Sequence, residues 1–140
     1  MRVMVIGKAT ADSENGAAMD PKALEAMSAF NEELLDAGVL VALGGLTPSS
    51  AGKRIVLDGG RRSVIDGPFA ETKELVGGFM ILEVEDMDEA MAWMLRAPPC
   101  ANGRSEMELR PLMGMAEFEA VQTPATRVIR ERLRAKLTGT

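Results

Sequence analysis

Asp66 and Arg110 are the side chains with the strongest claim to chemistry. Asp66 opens the stretch "DGPFAETKE", where charged residues crowd a Gly-Pro break between apolar segments. If it faces a cleft and is partly desolvated, it serves as a base or holds a ligand cation. Arg110 follows Glu106 and Glu108 at alternate positions. Pointing one way, these three form either an exposed polar face or the charged wall of a cavity suited to a small acid. Lys8 closes a first apolar run and is a cation of the same kind. In "TPSS" (47–50), Ser49 offers a hydroxyl and an N–H to an anion. Glu71 and Lys73 form either a solvated turn or the rim of a ligand cleft.

Each of these has a plainer structural role. An Asp at a strand end takes backbone N–H bonds and sets a turn. Pro68 holds Gly67 extended, and Phe69 then anchors the turn in the core. Serines in "TPSS" are ordinary loop residues, and the eleven methionines are core filling. Both readings of Asp66 stand at this level.

Composition narrows the chemistry. The chain has no histidine, no tyrosine and one cysteine, Cys100. Ser-His and Cys-His nucleophile pairs are thereby ruled out, as are histidine metal sites. Acid-base work falls to Asp, Glu, Lys or Cys. The glycine pairs 44–45 and 59–60 lack the spacing of a phosphate-binding loop. No cofactor and no metal is expected. A single cysteine suits a reducing compartment. The start of the chain does not read as a signal peptide, and its longest uncharged stretch, 37–52, is too polar to span a membrane. We expect a cytoplasmic protein with no membrane partner.

The elements that must position these residues follow from periodicity. With 140 residues, 46% hydrophobic, one domain is expected. Residues 2–9 read as a buried strand and "TADSENGAAMD" as a polar loop. Asp20-Pro21 opens a helix whose stripe is Leu24, Met27, Phe30, Leu34 and Ala37, with Gly38 as its stop. Residues 39–43 form a second strand. Lys53–Leu57 and Ser63–Asp66 flank "DGGRR" as a hairpin. "FMILEVE" is another strand. Asp86, with Glu89 three residues on, opens a second helix ended by Pro98-Pro99. "EMELRPL" alternates as a half-buried strand.

The order is β-α-β, hairpin, β-α-β: an α+β chain with the doubled unit of a ferredoxin-like fold and an antiparallel sheet. Helices cover one face of such a sheet. A second copy's sheet would cover the other, so a homodimer is expected. The tail, "TPATRVIRERLRAKL", is a basic amphipathic helix. Residues 124–140 hold five basic residues and one acid; residues 1–123 hold 11 basic and 20 acidic. The tail is a solvated extension, docks on its own acidic body or a dimer mate, or binds a partner. The negative body disfavours nucleic acid.

Four blocks carry a resemblance: "VMVIGKATADSENG", "FNEELLDAGVLVALGGLTPSS", "GGRRSVIDGPFAETKELVGGF" and "EMELRPL". Over about 1–119 the chain resembles the DGPF-type proteins of the YCII-related family. The resemblance implies a ferredoxin-like domain over 1–120, paired into a dimeric α/β barrel, with 121–140 outside it. Some YCII-related proteins look like enzymes built on a His-Asp pair, which a chain without histidine cannot form. Association of DGPF-type proteins with extracytoplasmic-function sigma factors implies a regulatory or stress-linked role. The leading expectation is a dimer binding a small molecule in a cleft near Asp66. The alternatives are an acid-base or hydrolytic enzyme using Asp66 and Arg110, and an interaction module acting through the tail.

Overall fold

The computed structural model describes residues 1–70, 74–99 and 103–138. Glu71 and Lys73, two of the expected rim residues, and Cys100 lie outside them. The elements are β1 (Arg2–Lys8), α1 (Ala11–Glu14), α2 (Pro21–Asp36), β2 (Leu40–Gly45), a 3-10 turn (Ser49–Ala51), β3 (Lys53–Asp58), β4 (Arg61–Asp66), β5 (Val76–Glu83), α3 (Met87–Met94), β6 (Met107–Pro111), α4 (Ala116–Glu119) and α5 (Pro124–Thr138).

Four strands make one antiparallel sheet in the order β2-β5-β1-β6. β1 and β2 run parallel to each other, each beside β5, so two interleaved β-α-β units build the ferredoxin-like layout. Register puts Val3 opposite both Leu82 and Pro111, and Val5 opposite both Met80 and Leu109. Because side chains alternate along a strand, Val3, Val5 and Leu82 face the helices. There they meet Phe30 and Leu34 from α2 and Ala90 and Met94 from α3, in a core where Val3, Leu34, Leu82 and Ala90 are fully buried. Burial of each large side chain contributes about 1.5–3 kcal/mol.

Helix ends follow their local chemistry. The Asp20 carboxylate accepts the Lys22 N–H, and Pro21 occupies the first turn. Gly38 ends α2 at φ 72°, a conformation that costs other residues a Cβ clash. At α3 the Asp86 carboxylate accepts the Glu89 N–H, while Glu89 reaches back past it to the N–H of Glu85. The expected α2 stripe needs trimming: Phe30 and Leu34 are buried and Met27 partly so, but Leu24 is 53% exposed. At 3.6 residues per turn Leu24 is rotated about 80° around the helix from Leu34, which leaves it on a flank. A short helix, α1, stands where the sequence reads as loop, and a second, α4, lies in a stretch to which the sequence reading assigned no element.

β3 and β4 pair only with each other, from Lys53 opposite Asp66 to Asp58 opposite Arg61. Gly59 makes the turn at φ 59°. Every residue of the hairpin is exposed, including Ile55, Leu57, Val64 and Ile65. α5 is likewise open to solvent along Val128, Ile129, Leu133 and Leu137. No helix among the described residues is long and apolar enough to cross a membrane.

Candidate functional site

The C-terminal ends of β1 and β2 and the N-terminal ends of β5 and β6 lie at one end of the sheet, as Gly7 stands between Gly78 and Met107 and Gly45 opposite Gly78. Antiparallel pairing in this order forces that convergence. It gathers Lys8, the α1 segment, the 3-10 turn and the residues following the hairpin.

The DGPF turn is built there from outside itself. Ser49 is the node. Its N–H and Oγ–H donate to the two oxygens of the Glu14 carboxylate at 2.9 and 2.5 Å, and its Oγ accepts the Phe69 N–H at 3.0 Å. The Gly67 N–H donates to the Gly52 carbonyl at 3.0 Å. Gly67 passes so close to the 3-10 turn that a Cβ would lie 1.7 Å from the Ser49 carbonyl oxygen; only glycine fits. The Gly67–Pro68 peptide is cis.

Phe69 does not reach the main core as expected. Its ring is half-buried against Gly52 and lies under the Arg54 guanidinium, 4.0 Å from the ring centroid. Nor does Asp66 set the turn through backbone bonds. Its carboxylate takes the Lys53 ammonium at 2.5 Å across the hairpin, and its side chain is 73% exposed. The hairpin stands clear of the sheet, so Asp66 is not desolvated.

Lys8 is placed differently. It follows Met4 and Ile6 on the sheet face turned away from the helices, together with Phe79 and Ile81 from β5 and Glu108 and Arg110 from β6. Its side chain is only 18% exposed, and its Nζ meets Glu108 Oε2 at 3.4 Å, the long end of ion pairing. Lys8, Thr10, Arg104, Ser105 and Glu106 line a depression of about 330 Å3 at the sheet end. Arg104 and Glu106 pair at 2.5 Å on its rim.

Arg110 is exposed and forms no ion pair among the described residues. It lies opposite Met4, four residues from Lys8, or about 13 Å along the strand. Lys8 and Glu108 are therefore brought together; Ser49 joins the Phe69 end of the DGPF turn; Asp66 and Arg110 occupy separate elements. Glu14 was missed by sequence reasoning. It sits in a polar stretch, and its partner lies 35 residues further on, so no local spacing marks it. Among the described residues no group of three Asp, Glu or Cys side chains is arranged to hold a metal ion.

Comparison with known proteins places this arrangement in context. A curated relative, an uncharacterized protein of Rhizobium meliloti (strain 1021), is 31% identical over 93 residues, which cover 66% of this chain and 75% of the relative. Among solved structures, a 5-chloro-2-hydroxyhydroquinone dehydrochlorinase from Burkholderia phenoliruptrix AC1100, in complex with 2,5-dihydroxybenzoquinone, matches with a TM-score of 0.48 and 16% identity over 84% of this chain and 98% of its own. The model of the YCII-related domain matches residues 1–113, from the start of β1 to just beyond β6. The chain, with its doubled β-α-β sheet and its DGPF turn, belongs to the YCII-related family.

Proposed function

We propose that this chain is the subunit of a homodimer that binds a small organic acid with an apolar body on the open face of its sheet. Lys8 is the anion contact, and Met4, Ile6, Phe79 and Ile81 are the apolar floor. The observation that carries the reading is the state of Lys8. The Lys8 stem is packed down, its side chain 18% exposed, while its ammonium sits in an exposed contact with Glu108 at 3.4 Å, too long for a close hydrogen bond. A ligand carboxylate in the adjoining depression would complete the site with a charge-assisted bond. The dimer is supported by the apolar residues left open on the hairpin, where Ile55, Leu57 and Val64 are 62–67% exposed; exposure of that kind marks an interface.

Binding without turnover is the better reading because the proposed base is badly placed. Asp66 is solvated and paired with Lys53 on the hairpin, so the cleft shifts from Asp66 to Lys8. Asp66, Ser49 and the DGPF turn then hold the sheet end in shape.

Native mass spectrometry of protein isolated gently from its own cells tests this. A dimer carrying an added mass of a few hundred daltons per subunit is expected, and the Lys8→Met form should lose that mass while remaining folded. Retention of the ligand by Lys8→Met would refute the role given to Lys8. A bare monomer from both forms would refute the reading as a whole.

A further inference from the structure

The outer flank of α2 and the tail helix α5 are complementary in apolar pattern and in charge. On α2, Glu33 reaches toward α3, pairing with Arg96 at 2.5 Å. Leu24, Ser28, Asn31 and Leu35, spaced i, i+4, i+7 and i+11, form a stripe on the opposite flank. Leu24 and Leu35 are large apolar side chains 53% and 61% exposed, with the half-buried Asn31 between them. Glu25, Glu32 and Asp36 run one position along, edging the stripe with carboxylates. The flank is about 16 Å long between the two leucines at 1.5 Å per residue.

α5 carries the counterpart. Ile129, Leu133 and Leu137, at i, i+4 and i+8, form an apolar ridge that is 53–83% exposed, spanning about 12 Å. Arg132 and Lys136 run beside it. The tail holds five basic residues against one acid on a body of 11 basic and 20 acidic residues. An apolar ridge with a cationic edge fits an apolar stripe with an anionic edge.

The chain's own flank is badly placed for this contact. α2 lies over β2 and α3 over β6, at opposite edges of the sheet. In this structure α5 does not lie along its own α2: Leu24 and Leu35 on the flank and Ile129, Leu133 and Leu137 on the ridge are all left exposed, and the two helices share no extended contact. An anionic membrane surface or a nucleic acid would attract the tail but repel the body.

We propose that α5 docks on the α2 flank of a second copy of this chain, strapping the helix layer of one subunit with the tail of the other. The contact lies on the helix side of the sheet and stands independently of the ligand reading and of which sheet faces pair.

The test uses the full chain. Equal amounts of 14N- and 15N-labelled protein are unfolded in urea, mixed and refolded together so that mixed-label dimers form, then treated with a zero-length carboxyl-amine cross-linker, and linked peptides are read by mass spectrometry. Lys136 is expected to join Glu25, Glu32 or Asp36 in mixed-label pairs. Breaking the apolar stripe with Leu24→Lys and Leu35→Lys, which leaves the three linkable carboxylates in place, should cut links from Lys136 at least about fivefold. Leu133→Asp, far from the core, should cut them similarly and covers the case in which the α2 variant folds poorly. Three outcomes overturn the proposal: links confined to single-label pairs, yields unchanged in both variants, or no link from Lys136 to α2 while the protein sediments with phosphatidylglycerol vesicles.

Discussion

The hydroxyl of Ser49 donates to the Glu14 carboxylate at 2.5 Å while accepting the Phe69 amide at 3.0 Å. Three segments distant in sequence thus close on one side chain: the short α1 helix, the 3-10 turn after β2, and the DGPF turn after the hairpin. Ser49→Ala removes both bonds and leaves the Phe69 N–H and a Glu14 oxygen unpaired in a half-buried place. We expect a loss of about 1–3 kcal/mol, read as a lower urea midpoint at unchanged m-value. Ser49→Thr, which keeps the hydroxyl, should lose less.

Gly67 passes the Ser49 carbonyl with no room for a side chain, a built Cβ lying 1.7 Å from that oxygen. Gly67→Ala must displace the DGPF turn from the 3-10 turn. The expected cost is on the order of 3 kcal/mol, as for other forced overpacking. Gly60→Ala, in open space at the hairpin tip, should change stability by less than about 0.5 kcal/mol. Equal midpoints for the two variants would contradict the close approach.

Lys8 and Glu108 share one long contact. Glu108→Gln should free Lys8 for an exogenous anion, and a small aromatic carboxylate should bind about tenfold more tightly than to the native chain, as expected for one charged hydrogen bond. Lys8→Met should abolish the gain. Isothermal titration with benzoate at low salt measures both.

Leu34 is fully buried between α2 and the sheet, whereas Leu57 on the hairpin is 64% exposed. Leu34→Ala should cost about 2–5 kcal/mol through the cavity it leaves. Leu57→Asp should leave the fold intact and lower self-association instead. Light scattering across a dilution series, alongside circular dichroism, separates the two effects. A Leu57→Asp chain with unchanged association would remove the hairpin from the interface.

The main elements were legible because each rests on a local rule. Asp20-Pro21 and Gly38 bound α2, Asp86 and Glu89 cap α3, and Gly59 turns the hairpin; these signals act within four residues, so the chain states them directly. The doubled β-α-β order, with its antiparallel sheet, followed from that reading. So did the basic amphipathic pattern of α5, a property of composition and spacing alone. The absence of histidine decided which chemistries were closed.

What tertiary structure decided is which of the charged residues stand together. Lys8 and Glu108 are 100 residues apart and meet because β1 and β6 pair in one register. Asp66 looked suited to a cleft, yet Lys53 takes its carboxylate once β3 and β4 zip together outside the sheet. Ser49 looked like one polar loop residue among several, and Leu24 like part of the core stripe. The partners of Ser49 are supplied by segments 35 and 20 residues away, and the exposure of Leu24 is set by how α2 sits on the sheet. No local spacing encodes those, because the energy that selects among them is the packing of the whole core.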